Sequence, residues 1–413
     1  MIRWIIFIIV LGIADFYAFQ SLRTVTKSNW WYAIYWLFTI AIIGNFIIQF
    51  YSFNRSNGFS QENSFAIGLL IALVVPKLVL IAILFGEDVL RIPQGLYSYF
   101  MQDNGEGNKI NHIPERRKFV SQIALGIAAI PFASILYGMY KGKYNFKVLK
   151  YTLYFEDLPS AFDGYKLTQI SDVHSGSFDN IEKVSYAIDL INEQKSDVIL
   201  FTGDMVNNKA SEMEPFIDIF KKLKAKDGLF SVLGNHDYGD YVSWDSEDEK
   251  KQNLEDLKIL QKDIGFDLLL NENRFIEKNG ERIALVGVEN WGIGGFKKAG
   301  DLKMAASKVD KDDFKILMSH DPSHWNEEVI NDAYHYHLTL SGHTHGMQFG
   351  IEIPGWFKWS PVKWRYKHWA GIYKELGQYI NVNRGFGYLA FPGRVGIWPE
   401  ITVIELKKGK KEA

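Results

Sequence analysis

Four long apolar runs at the start of this chain constrain its fold more than any other feature. From Met1 to Gly86 only seven residues are Asp, Glu, Lys or Arg, whereas beyond Lys141 charges occur throughout. A membrane-spanning helix needs roughly 20 mostly apolar residues, because lipid offers exposed backbone groups no hydrogen-bond partner. Stretches of about 4–20, 30–53, 64–86 and 119–140 meet that need, and Trp30, Trp31, Tyr32 and Tyr51 stand at their flanks. A buried core helix or a lone signal peptide explains one such run, not four without globular sequence between them. The expectation is an all-α transmembrane domain over residues 1–145 and a water-soluble domain over 146–413.

Four spans put both chain ends on one side. Arg and Lys counts in the connecting loops barely favour either orientation. Arg116-Arg117-Lys118-Phe119-Val120, followed by the apolar 123–140, resembles a twin-arginine export signal. On that reading, and equally if these are plain positive-inside anchors, the third loop is cytoplasmic and everything after Tyr140 is extracytoplasmic. Asp15 and Lys77 fall midway along the first and third spans. An unpaired charge in lipid is costly, so they are expected to pair, the alternative being Lys77 snorkelling beside Pro76.

The charge balance bears on partners. With 46 basic and 48 acidic side chains, the chain lacks the excess of cations that a large nucleic-acid footprint requires. The absence of Cys excludes disulfides, zinc–thiolate sites and a thiol nucleophile. No feature calls for an obligate protein partner.

After Lys150 short apolar runs alternate with charged helical stretches. Strands are expected over 166–171, 197–202, 229–233, 282–288, 314–319 and 336–341, and helices over 180–194, 212–224, 251–263 and 302–308. This is the pattern of an α/β layered domain. Past Gly342 the expected elements are strands, over 347–353, 378–383 and 400–405.

The chemistry lies just beyond the strand ends, where α/β folds gather functional side chains. These read Asp172-Val173-His174, Gly203-Asp204, Gly234-Asn235-His236-Asp237, His320-Asp321 and Gly342-His343-Thr344-His345. Any one of them alone is an ordinary turn or helix cap. Five of this composition in succession point to one metal site. Carboxylates, an amide and imidazoles without sulfur suit Mn, Fe or Zn. Seven candidate ligands exceed what one ion needs, so two divalent ions about 3.5–4 Å apart fit better. Such a pair activates a bridging water and clamps phosphate oxygens, which implies in-line hydrolysis at phosphorus by a metal-bridging hydroxide. His335 and His337 alternate and are read as one face of a strand, not as a metal pair; His324 is read as a helix start, and His112 as a loop residue.

The five motifs together resemble the calcineurin-like metallophosphoesterase superfamily, from about Tyr151 to Leu406. The tail from Asn383-Arg384-Gly385-Phe386-Gly387 through Arg394 to Pro399-Glu400-Ile401 is similar to its bacterial, membrane-anchored or twin-arginine-exported branch. The resemblance implies a four-layer αββα sandwich. It implies that Asp172, His174 and His345 hold one metal and Asn235, His320 and His343 the other, with Asp204 bridging. It makes His236 the group that stabilises developing charge and protonates the leaving oxygen, with a raised pKa favoured by an orienting Asp237. Two positions depart from the branch pattern. Met347 replaces the second glycine of Gly-His-Thr-His-Gly-Gly-Gln and could narrow the substrate approach, and His337 stands where Asp is common.

Between Gly355 and Trp369, Trp356, Trp359, Trp364 and Trp369 interleave with Lys358, Lys363, Arg365 and Lys367. Rings with cations suit a lipid interface, and equally a packed loop shielding the active site. Trp356, Trp359, Trp364 and Arg394 are therefore candidate substrate or membrane contacts. The function expected is a membrane-anchored dinuclear phosphohydrolase in a bacterial inner membrane, acting on a phosphoester that is lipid- or envelope-linked. One alternative is a cytoplasmic-facing lipid pyrophosphate hydrolase of the UDP-diacylglucosamine type. The other is a non-catalytic sensor or scaffold, against which every ligand position is filled.

Overall fold

The structure is a computed structural model that describes residues 2–100, 114–353 and 355–410. His112, read as a loop residue, lies outside the described residues. The chain divides into two compact units, one of residues 1–53 and 62–137, the other of 54–61 and 138–413.

Among the described residues the first unit holds four helices, α1 (Ile2–Val25), α2 (Asn29–Tyr51), α3 (Gln61–Phe100) and α4 (Pro114–Tyr140). Each contains a stretch long and apolar enough to cross a membrane. Most of their large apolar side chains point outward, as lipid-facing helices require, while small residues such as Ala18, Ala124 and Ala128 are buried. Asp15 and Lys77 are buried and form an ion pair, so the snorkelling alternative is set aside. The ammonium also donates to Thr39 Oγ1 at 2.8 Å and lies 4.7 Å from the Tyr35 ring centroid. Arg117 pairs with Asp88 of α3 at 3.0 Å.

The second unit contains β1 (Lys147–Phe155), β2 (Lys166–Ile170), α5 (Ile181–Glu193), β3 (Val198–Phe201), α6 (Ile217–Phe220), β4 (Leu229–Ser231), α7 (Glu247–Ile264) and β5 (Phe266–Leu268). There follow β6 (Glu272–Lys278), β7 (Glu281–Gly287), α8 (Leu302–Ala305), β8 (Phe314–Met318), α9 (Ser323–Glu327) and β9 (Leu338–Ser341). The last strands are β10 (Ile351–Ile353), β11 (Phe357–Trp359), β12 (Gly371–Glu375), β13 (Gln378–Val382) and β14 (Glu400–Lys408). They build two six-stranded sheets, β1-β14-β2-β3-β4-β5 and β12-β13-β9-β8-β7-β6, and a separate hairpin β10-β11.

Period-2 side-chain direction makes the layers. In β3, Val198 and Leu200 point between the sheets with Leu285, Ile316, Leu338 and Ile404. Ile199 and Phe201 point the other way, onto apolar residues of α5, α6 and α7. In β7, Ala284 and Val286 face α8 and α9. The result is the four-layer αββα sandwich. Residues 54–61, between α2 and α3, pack on this unit. Gln61 donates to the Phe178 carbonyl at 3.0 Å, and the Ser243 amide donates to the Arg55 carbonyl at 3.3 Å.

Several expected elements are corrected. The helix expected over 212–224 is instead a 3-10 helix over Ala210–Phe216 followed by the single turn α6, because Pro215 has no amide and Glu212 folds back onto the amides of Asn207 and Lys209. The strand expected from Met347 starts only at Ile351, since Gly346, Met347 and Gln348 turn with positive φ. His335 and His337 precede β9 instead of lying on it. His337 is held there by two partners, accepting the Lys315 amide at 2.9 Å and contacting Asp157 at 2.7 Å.

Candidate metal centre

The five motif loops leave the carboxyl ends of β2, β3 and β4 in one sheet and of β8 and β9 in the other, and they meet at one edge of the sandwich. Close approach is possible only because glycines precede the ligands. A Cβ on Gly342 would lie 1.9 Å from Ser171 Oγ and 2.2 Å from Asp172 Oδ2; one on Gly234 would lie 2.2 Å from Asp204 Oδ1. The backbone also bends unusually. Asp172, His174, Asp204, His343 and His345 all have φ between 48° and 70°. Left-handed backbone costs a non-glycine residue on the order of 1–3 kcal/mol and clusters at functional sites.

Two groups result. Asp172, His174 and His345 offer ligand atoms within 4.8 Å of one another, and so do Asp204, His320 and His343. Nε2 of His174 lies 3.0 Å from Nε2 of His345 and 3.6 Å from Asp204 Oδ2. Nε2 of His320 lies 3.1 Å from the same Asp204 oxygen, so Asp204 stands between the groups. Asn235 Oδ1 joins the second group, 2.8 Å from His343 Nδ1.

The clustered side chains are held from behind. His320 Nδ1 donates to the Thr202 carbonyl at 2.7 Å, which turns Nε2 toward Asp204. Asn235 Nδ2 donates to Tyr241 Oη at 2.8 Å, which fixes the amide so that its oxygen faces His343. Tyr366 Oη lies 2.8 Å from His343 Nε2. Burial alone would raise the Asp172 and Asp204 carboxyls. The imidazoles around them, His345 for Asp172 and His320 for Asp204 foremost, instead hold both well below the usual range. Burial pushes His320 down, but Asp204 and Asp172 overcome it and hold the ring up at about 10. Buried carboxylates and imidazole nitrogens converging on two points, with oxygen and nitrogen donors only, fit a pair of divalent cations.

Two assignments change. Asp237 does not orient the His236 ring. Its carboxylate accepts the amides of Gly234 (2.8 Å), Asp204 (2.9 Å) and Met205 (2.8 Å), and so ties two of the loops together. His236 Nδ1 instead donates to the Asn207 carbonyl at 2.7 Å, and burial pushes this imidazole down, not up. Arg394 is fully buried and touches no open surface. It donates to the carbonyls of Gly387 (2.5 Å) and Gly385 (3.2 Å) and lies 3.2 Å from His345 Nδ1, so it braces the ligand loop from below.

Trp356, Trp359 and Trp364 lie outside the ligand cluster, on the hairpin and the turn after it. The segment still borders the site through Tyr366 and through Arg365, whose guanidinium lies 5.2 Å from the Phe296 ring; that ring is 4.7 Å from His343. Tyr241, Tyr366, Asn207 and Phe296 went unread in the sequence, because no motif marks them.

Comparison with known proteins agrees with this geometry. Residues 165–347 match the family described as calcineurin-like phosphoesterase, and residues 2–143 match the probable calcineurin-like phosphoesterase transmembrane domain. The uncharacterized metallophosphoesterase YkuE of Bacillus subtilis is 30% identical over 274 residues, 66% of this chain and 89% of that one. The chain belongs to the calcineurin-like metallophosphoesterases. An uncharacterized metallophosphoesterase of Helicobacter pylori is similar along the full length, 24% identical over 98% of both chains. A transmembrane protein with metallophosphoesterase domain from Danio rerio is 25% identical over 66% of this chain and 60% of its own. This phosphoesterase is thus a phosphoester hydrolase associated with a membrane through its N-terminal domain.

Proposed function

We propose that the phosphoesterase hydrolyses a membrane- or envelope-associated phosphoester with a pair of divalent metal ions. The observation that carries this reading is the placement of Asp204 between two buried ligand groups, 3.6 Å from His174 on one side and 3.1 Å from His320 on the other. Asp172, His174 and His345 would hold one ion, Asn235, His320 and His343 the other, and Asp204 both. Bound there, Mn, Fe or Zn supplies Lewis-acid polarisation of phosphoryl oxygen and a water acidic enough to attack at neutral pH.

The chain's own groups supply orientation and proton transfer. With its Nδ1 proton committed to the Asn207 carbonyl, His236 keeps Nε2 to take a proton from solvent and, as imidazolium, to stabilise developing charge and pass that proton to the leaving oxygen. Asp237 and Arg394 keep the loops in register beneath it. We place the protein in the inner membrane of a bacterium with the catalytic unit outside. The paired arginines at the start of α4 support this, and an alkaline phosphatase fusion after Ala413 tests it, activity being the expected result.

The reaction is tested with the full chain in nanodiscs, loaded with Mn, Fe or Zn, on bis-p-nitrophenyl phosphate and p-nitrophenyl phosphate. Asp204→Asn is expected to lose bound metal and about a thousandfold in rate. Full metal content in that variant, or no turnover with any of the three metals, refutes the reading.

A further inference from the structure

The β10–β11 hairpin has its faces the wrong way round for water. A sheet surface packed on a protein normally turns apolar residues in and polar residues out. Here the register pairs Ile351 with Trp359 and Ile353 with Phe357 on one face, and Glu352 with Lys358 on the other. The polar face is the inner one. Glu352 accepts from the guanidinium of buried Arg384 at 2.5 Å, and Lys358 donates to the Ala370 carbonyl at 2.5 Å and to Tyr373 Oη at 3.0 Å. The apolar face is turned outward, with Ile351 56%, Ile353 45% and Phe357 47% exposed.

The exposed apolar surface continues beyond the strands. Trp356 in the hairpin turn is 78% exposed, Trp364 in the following turn 75%, and Met347 just before the hairpin 56%. The charges on this surface are mainly positive. Between His345 and Ala370 the only acidic residue is Glu352, already turned inward on Arg384, while Lys363 and Arg365 are exposed and Lys367 pairs with Glu375 at 2.6 Å. Outward Trp, Ile and Phe beside exposed Lys363 and Arg365 match a bilayer interface, rings at headgroup depth and cations on anionic phosphates. Such a surface is close at hand in sequence as well, since only Lys141–Phe146 separate the last apolar helix from β1.

We infer that this outward face of the hairpin, with Trp356, Trp364, Lys363 and Arg365, docks on an anionic phospholipid bilayer. The docked segment also carries Met347, two residues past His345, and Tyr366, hydrogen-bonded to His343. The metal centre is therefore held at headgroup level, where an amphiphilic phosphoester can enter while its acyl chains stay in the membrane. This deepens the proposed reaction by naming how substrate is presented, but the docking itself stands without turnover.

The chain contains no Cys, so single labelling sites can be introduced into the whole protein. Ile353→Cys and Phe357→Cys, each carrying an environment-sensitive fluorophore, are compared with Ile259→Cys on α7, also exposed, in nanodiscs of phosphatidylcholine and phosphatidylglycerol. Brominated acyl chains are expected to quench the labels at 353 and 357 about threefold more than the one at 259, and aqueous iodide less. Replacing phosphatidylglycerol by neutral lipid should weaken both effects. Labels at 353 and 357 as open to iodide as at 259 overturn the inference. So does shielding without quenching by brominated lipid, which would mean a protein cover. Hydrolysis of bis-p-nitrophenyl phosphate by the same samples reports the reaction separately, so loss of one result does not mimic loss of the other.

Discussion

Removing either member of the Asp15–Lys77 pair should destabilise the transmembrane unit about as much as removing both. The pair is buried on both sides, and breaking such a pair costs about 3–5 kcal/mol because the survivor is stranded in a low-dielectric interior. In Asp15→Ala the ammonium keeps the Thr39 hydroxyl at 2.8 Å and the Tyr35 ring face at 4.7 Å, which together return about 1–2 kcal/mol. The expected loss is therefore at the low end, ~3 kcal/mol, and Lys77→Ala, which strands the carboxylate, should match it. The double variant leaves no charge behind, only two small voids, and should lose ~3 kcal/mol as well. The coupling is then about 3 kcal/mol, half of the ~6 kcal/mol that two independent sites would lose. Unfolding the full chain in mixed micelles by titrating SDS, followed by circular dichroism, measures all three losses. A double variant that loses the sum of the two singles refutes the ion-pair reasoning.

The other predictions concern the catalytic unit. Tyr241→Phe removes the hydroxyl that orients Asn235 and should weaken metal binding about tenfold, read by competition with a chelating dye, while leaving the fold intact. Asp237→Asn halves the acceptor capacity that ties three amides and should cost about 2–3 kcal/mol in thermal stability without reshaping the pH–rate curve, which an orienting role toward His236 would alter. Burial holds His337 down at about 4 from an ordinary 6.5, despite Asp157 beside it. Its share of stability is thus complete above pH 6.5 and lost as pH falls toward 4, at most about 3 kcal/mol, and His337→Asn should flatten that part of the acid unfolding curve.

The residues that meet in the two buried clusters were legible because each is a side chain whose type and position beyond a strand already state its chemistry. The four spans were legible because lipid imposes a length and a composition. What escaped was carried by backbone atoms brought in from elsewhere. Asp237 looked like a partner for its neighbour His236, yet its oxygens are taken up by amides at 204, 205 and 234. Arg394 looked like a substrate contact, yet the carbonyls of Gly385 and Gly387 hold it under His345. Neither partner set leaves a mark in side-chain pattern. The hairpin escaped differently. Its Trp and Lys were noticed, but which face turned outward depended on Arg384 and Ala370 waiting beneath it.

Residues 54–61 also bear on how the molecule is made. They belong to the catalytic unit, through Phe178 and Ser243, but the ribosome completes them before most of that unit exists. The domain therefore closes around a piece already fixed between two membrane segments. Both must reach the same compartment for it to close at all, as the two spans between them allow. A soluble fragment beginning at residue 138 would lack this piece and leave Val242 and Asn208, which Gly58 lies against, uncovered.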